Sequence, residues 1–137
     1  MSKLEEELRE MKYNQEKIKY HQKMLLHIAT HEDPDEVLFF QQIISYDLDE
    51  KQVDTIIKLL CILAEEPNEK MIDEDIKYFK ELGIELNQNA LSSENVIGNL
   101  KLYLEILKIE IPLKYLLLSL KRQHIQEETC INLLKKL

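Results

Sequence analysis

The sequence predicts an all-α protein: a long N-terminal helix followed by a compact bundle of about five or six shorter helices. The 137 residues include only 2 glycines and 3 prolines, too few for the many tight turns of a β-sandwich or barrel. Apolar residues recur at intervals of three and four, as on one face of a helix. The composition, 45% hydrophobic and 32% charged, is typical of a folded chain of single-domain size.

The first predicted element is a helix over residues 3–30. Its a and d positions alternate at spacings of four and three, which is a heptad pattern, and we call this set of positions the heptad seam: Leu4, Met11, Ile18 and Leu25 at d, and Leu8, Gln15, Gln22 and Ala29 at a. A second, weaker stripe lies on another face: Tyr13, Tyr20, Met24 and His27.

A heptad seam is typical of a helix that pairs with another helix. Residues 1–31 are therefore predicted to be an oligomerisation segment, and its expected interface residues are Leu4, Leu8, Met11, Ile18 and Leu25. The alternative is a helix that packs only against its own domain. Residues 32–137 are expected to form the bundle domain.

Two helix starts in the bundle carry capping signals. Asp33 is expected to cap a helix that has Pro34 at its first position, Glu36 as the reciprocal capping partner and an end near Tyr46. Asp49 and Gln52 have the spacing of a second capping box, flanked by Leu48 and Val53 at the spacing of a hydrophobic staple. The helix that follows is expected to end shortly before Pro67.

The middle of the chain is less regular. A short helix within 69–82 is predicted to end at Gly83 in the left-handed conformation, with Ile84 folding back on Phe79. A polar connection over 85–92 leads to a helix capped by Ser92 or Ser93. Residues 100–106 alternate as a half-buried strand would, but the serine cap and the absence of hairpin turns favour a helix, in which Gly98 would permit a close helix crossing.

The last two predicted helices span about 112–122 and 126–136, with a break near residues 123–125. Pro112 suits the first position of its helix. The 112–122 helix is apolar almost all round, so it is expected either at the centre of the fold or at a subunit interface through Leu113 and Leu117.

Charge and targeting signals disfavour several classes of function. The formal net charge is -8, which disfavours binding to nucleic acid and to anionic membrane surfaces. Residues 34–99 hold 5 basic and 15 acidic groups, whereas residues 100–137 hold 7 basic and 4 acidic groups. The first residues lack the apolar segment of a signal peptide, and no apolar run has the length of a membrane span. Two cysteines form no disulfide framework, so a cytoplasmic protein with reduced thiols is expected.

No residue pattern indicates an enzyme or a resident cofactor. His27 and His31 are four apart and could share a metal on one helical face, but the surrounding sequence offers no second ligand pair, and a histidine near a helix C-terminus is favourable without a metal. Cys61 and Cys130 lie in apolar runs that predict core positions, and nothing in the sequence brings either one to His124. No metal, cofactor or catalytic group is therefore predicted.

A DNA-binding regulator is a further alternative, because the last two helices have the arrangement of a helix-turn-helix. Lys121 and Arg122 supply only one dibasic pair. Gln126, Glu127 and Glu128 would place negative charge where DNA would dock, so this function is disfavoured.

The order of features resembles the small all-helical bacterial YhaI-like family, a domain of unknown function. The similarity spans residues 15–65 and 100–137 and depends on the following features: the Leu25-Leu26 end of the long helix, the Phe39-Phe40 pair, Ile43-Ile44, the Leu48-Asp49-Glu50 junction and two short terminal helices. The resemblance implies a helical fold and brings no catalytic residue to this chain.

Taken together, these patterns predict a non-enzymatic, homo-oligomeric protein with an interaction or regulatory role. A metal- or small-ligand-binding helical protein and a DNA-binding regulator are the two alternatives.

Overall fold

The computed structural model describes residues 2–64, 73–86 and 96–137. These ranges contain α-helices and one 3-10 helix and no β-strand, which confirms the predicted all-α class. The helices are α1 (Lys3–Thr30), a 3-10 helix (Pro34–Val37), α2 (Leu38–Ser45), α3 (Glu50–Ala64), α4 (Asp73–Glu81), α5 (Val96–Ile106), α6 (Leu113–Arg122) and α7 (Glu127–Leu134). Pro67, the serines at 92 and 93 and most of the 85–92 connection lie outside the described residues.

Helix α1 has the length that the heptad pattern predicts. Its 28 residues correspond to about 42 Å at 1.5 Å per residue. The Ser2 hydroxyl caps the N-terminus by accepting a hydrogen bond from the Glu5 backbone N–H (3.2 Å). The helix ends at His31, whose backbone is extended.

The start at Asp33 differs in part from the prediction. The Asp33 carboxylate does cap, accepting from the Asp35 N–H (3.0 Å), and Pro34 begins the element. The first turn is a separate 3-10 helix, however, and Glu36 makes no capping box. Its carboxylate instead lies 2.9 Å from His31 Nε2, within hydrogen-bonding distance of the imidazole.

The α2–α3 turn follows the predicted capping box. Asp49 Oδ1 accepts from the Gln52 N–H (2.8 Å), and Gln52 Oε1 accepts from the Asp49 N–H (2.9 Å). Leu48 and Val53 are both buried in the core, as a hydrophobic staple requires. Asp47 turns the chain with a positive φ of 54°, and the Leu48 N–H then donates to the Ile43 carbonyl (2.9 Å).

The structure tests three predictions for the middle of the chain: the end of α4 at Gly83, the conformation of residues 100–106 and the helix crossing at Gly98. Gly83 has φ 87°, and the Ile84 N–H donates to the Phe79 carbonyl (2.9 Å), which is the predicted Schellman ending of α4. Residues 100–106 are helical, within α5. The expected close crossing at Gly98 is wrong, since a β-carbon there would meet no described atom within 4 Å.

Helix α6 lies against α7, α2 and the 3-10 helix, and it links these elements through polar contacts. Gln123, just after α6, accepts from the backbone N–H groups of Phe39 (3.0 Å) and Phe40 (3.2 Å) and so caps the start of α2. The buried Ser119 hydroxyl lies 2.7 Å from Gln42 Oε1. The first turn of α2 is therefore satisfied by a side chain more than eighty positions away in the sequence.

The prediction for the 112–122 helix differs from the structure in three respects. Pro112 precedes the helix as its N-cap rather than occupying the first helical position. The helix is also not buried on all sides, since Tyr115 is 57% exposed. Leu113 and Leu117 are buried within one chain, so they are core residues rather than interface residues. An amphipathic face is enough to explain α6, because Lys114, Tyr115 and Arg122 point to solvent.

We expect Asp49→Ala to destabilise the fold by about 0.5–2 kcal/mol, the usual effect of losing an N-cap. Denaturant unfolding would measure this. Asp49 also accepts a hydrogen bond from Tyr13, so Tyr13→Phe is the matched control: it removes that bond and keeps the cap. A smaller loss in Tyr13→Phe assigns the effect to the cap, and an equal loss would contradict that assignment.

We expect Leu117→Glu to unfold the chain, because its side chain is 1% exposed and a carboxylate there would lose its hydration without a partner. Tyr115→Glu places the same charge on the exposed side of α6 and should change stability by at most about 0.5 kcal/mol. Circular dichroism of both variants checks this. A helical, smaller particle in Leu117→Glu would instead restore the interface interpretation.

Candidate interaction surface

The heptad seam is exposed along the whole length of α1. All eight of its side chains are exposed, and the five large apolar ones have the following exposed fractions: Leu4 66%, Leu8 56%, Met11 58%, Ile18 56% and Leu25 52%. Monomeric proteins seldom expose contiguous apolar surface of this kind without a partner. The seam is therefore the strongest candidate for an interaction surface in the described part of the chain.

The opposite side of α1 holds the helix on the bundle. Tyr13 donates to Asp49 Oδ2 (2.6 Å), Lys17 Nζ lies 2.8 Å from Asp47 Oδ2, and His21 Nε2 lies 2.7 Å from the Leu48 carbonyl oxygen. Further along, Met24 is buried in the core. At about 100° per residue, the centres of this anchoring side and of the heptad seam lie about 145° apart.

Three residues of the second, weaker stripe predicted from the sequence lie on this anchoring side. Tyr13, Tyr20 and Met24 belong to the stripe and face the bundle. Nothing in the sequence indicates that Lys17 and His21 belong to the anchoring side. A lysine and a histidine on a charged helix carry no signal that they will contact a particular turn. Their partners, Asp47 and the Leu48 carbonyl, are presented by the α2–α3 turn.

The first three turns of α1 project beyond the bundle. Residues 2–12 are all exposed, and within the described residues no hydrogen bond or ion pair joins them to another element. The first such contact along the helix is that of Tyr13. The projecting segment therefore presents Leu4, Leu8 and Met11 where the bundle does not cover them.

A cleft of about 500 Å³ lies between α1, the start of α3 and Tyr78 of α4. Three tyrosines, four carboxylates and two lysines line it: Tyr13, Tyr20, Tyr78, Glu16, Asp49, Glu50, Asp54, Lys17 and Lys51. The hydrogen bond to Asp49 raises the pKa of Tyr13 to about 12. Burial, together with the nearby carboxylates, raises the pKa of Tyr20 to about 12. Both phenols thus stay protonated near neutral pH, and the described lining has no histidine or cysteine to act as a base or nucleophile.

The two histidines considered for a metal have other contacts. His31 lies 2.9 Å from the Glu36 carboxylate, and the His27 ring lies 5.4 Å from the Phe40 ring, centroid to centroid. Within the described ranges, no group of three or more histidine, cysteine or acidic side chains has the geometry to hold a metal ion. The structure therefore does not bring His27 and His31 together with further ligands.

The two cysteines occupy different environments. Cys130 is buried, and burial raises the pKa of its thiol to about 11, which disfavours the reactive thiolate. The predicted core position of Cys61 is wrong, because its side chain is exposed and lies 3.0 Å from Gln126 Nε2. His124 instead contacts Glu127 (3.1 Å), so the structure does not assemble a cysteine–histidine pair from these residues.

The last two helices carry little positive charge at their junction. Arg122 lies 3.8 Å from Asp35, and Gln126 forms the N-cap of α7 in the left-handed conformation. Glu127 and Glu128 occupy the first turn of α7, where a DNA-reading helix would need neutral or basic groups. None of the described helices is both long and apolar enough to cross a membrane.

Comparison with family models, with curated proteins and with solved structures finds no match to this chain. The resemblance to the YhaI-like family accordingly stays a prediction.

We expect a spectroscopic titration of tyrosine to show Tyr13 and Tyr20 ionising near pH 12. Since the ordinary pKa is about 10, the fold favours the neutral phenols. Their contribution to stability is present below about pH 10 and is lost as the pH rises toward 12.

Asp49→Asn should move the Tyr13 pKa back toward 10, because the hydrogen bond to Asp49 is the largest cause of the shift. Asparagine keeps the N-cap, so the fold should be preserved. Asp47→Asn is the control, since Asp47 has the smallest effect on Tyr13. An unchanged titration in Asp49→Asn would contradict this account of the cleft.

Proposed function

We propose that this chain is a non-enzymatic interaction protein that self-associates through the heptad seam of α1. The observation that carries the proposal is the division of α1 into two sides. One side is anchored to the bundle at Tyr13, Lys17 and Met24, and the other side keeps its apolar heptad positions exposed.

The spacing of the seam favours a helix as the partner. A period of 3.5 residues keeps a and d side chains on one line only when two helices wind around each other. A helix that merely lies on its own bundle needs its apolar stripe on the covered side. In α1, the large apolar side chains of the stripe lie on the uncovered side.

A second copy of the chain fits this surface best. The heptad seam runs for four heptads, long enough for a stable coiled coil, and its flanks carry charges of both signs, with Glu5 and Glu7 near the start and Lys12 and Lys19 further along. The same seam can therefore meet its own copy without a block of like charge along its length.

The bundle supports this interpretation by offering no competing chemistry in its described part. In the cleft, Tyr13 and Tyr20 have raised pKa values and Lys17 is paired with Asp47, and the thiol of Cys130 is buried. The bundle instead holds α1 in place, since three of its residues, Asp47, Leu48 and Asp49, receive the anchoring contacts.

The test is Leu8→Glu, measured by light scattering for mass and by circular dichroism for folding. Leu8 lies in the projecting segment, so the charge should weaken self-association and lower the mass while leaving the thermal unfolding of the bundle unchanged. The helical signal should fall only by the projecting turns, because an unpaired segment of that length is a marginal helix in water.

Arg9→Glu is the matched control. It introduces the same side chain one position away, on the side of the helix that the heptad pattern turns outward, and should keep the mass of the parent chain. A parent chain that is monomeric, or a Leu8→Glu variant with unchanged mass, would overturn the proposed function.

A further inference from the structure

We propose that two copies of α1 pair in parallel and in register, so that Gln15 and Gln22 each face their counterpart in the second copy. The inference depends on the proposed function, since it assumes that the heptad seam self-associates. It adds the number of chains and their orientation, and therefore the shape of the assembly.

The two glutamines determine the orientation. In a parallel, in-register pair of helices, a residues face a residues and d residues face d residues. Gln15 and Gln22 both occupy a positions, so each amide would meet an identical amide, whose donor and acceptor can satisfy it.

An antiparallel pair would place a residues opposite d residues. Every d residue of the heptad seam is apolar: Leu4, Met11, Ile18 and Leu25. Each glutamine amide would then lose water against an apolar side chain without gaining a hydrogen bond, which is unfavourable. A polar residue at an a position is a known device for fixing register and the number of helices, at a cost in stability.

The charges beside the heptad seam favour the same orientation. In the parallel pair, Glu7 at a g position approaches Lys12 at the following e position of the second copy, and this attraction occurs on both sides. In an antiparallel pair, e positions face e positions. In the antiparallel register that overlaps the whole heptad seam, Lys12 meets Lys19 of the second copy, which is a like-charge contact.

The bundles leave room for the parallel pair. Tyr13, Lys17 and Met24 hold each bundle on the side of α1 away from the heptad seam. Two chains can therefore join along their seams with both bundles on the outside. Because residues 2–12 project beyond the bundle, the assembly would be a short two-helix stalk with two bundles at the same end.

Cysteine cross-linking tests the orientation. In a Cys61→Ser background, which removes the exposed thiol, Leu4→Cys should oxidise to a disulfide-linked dimer under native conditions. The two Leu4 positions face each other in the parallel pair, within the distance that a disulfide can bridge. Leu4 lies at the end of the heptad seam, so its loss weakens pairing least. Arg9→Cys, on the outer side, is the control and should stay unlinked.

Light scattering on the Cys61→Ser chain separates the two proposals. A dimeric mass with Leu4→Cys linkage supports the parallel pair. A dimeric mass in which Leu4→Cys alone stays unlinked, while a mixture of Leu4→Cys chains with Gln22→Cys or Ala29→Cys chains is linked, overturns the orientation and leaves the proposed function standing. A dimer that links in neither way overturns pairing along the heptad seam, and a monomer overturns both proposals.

Discussion

The α2–α3 turn determines where α2 ends, where α3 begins and which side of α1 faces the bundle. The positive φ of Asp47 allows the chain to reverse within a few residues, and the Asp49–Gln52 capping box then starts α3. The same turn exposes a carbonyl and two carboxylates to α1. A single local structure thus ends one helix, begins another and fixes which side of a third helix faces the bundle.

The polar contacts that hold α1 on the bundle also determine which way the heptad seam faces. Polar contacts depend on direction, whereas apolar burial does not. If α1 were held only by burial, it could turn its largest apolar stripe inward. The hydrogen bond of Tyr13 and the ion pair of Lys17 instead favour one rotation of the helix, with Met24 as the buried residue on that side. The apolar seam is left facing solvent.

The bundle itself is held by a combination of apolar packing and long-range capping. Leu116, Leu117 and Leu120 are buried in the core, and their helix packs against α2 and α7. Gln123 supplies the acceptor that the first N–H groups of α2 need, since the preceding 3-10 turn offers no side-chain cap. Apolar burial provides most of the stability, and these polar contacts specify the arrangement of the helices.

Local patterns were enough to determine the all-α class, the extent of α1, the Asp49 capping box and the Gly83 ending, because each depends on residues within a few positions of one another. The heptad seam was likewise visible as a spacing. What only the tertiary structure decided depends on distant partners: that Gln123 caps α2, that Leu113 and Leu117 belong to the core of one chain, that Cys61 is exposed, and that Lys17 and His21 anchor α1. The sequence of a helix shows which side chains share a face, but the direction of that face is set by the elements that fold against it.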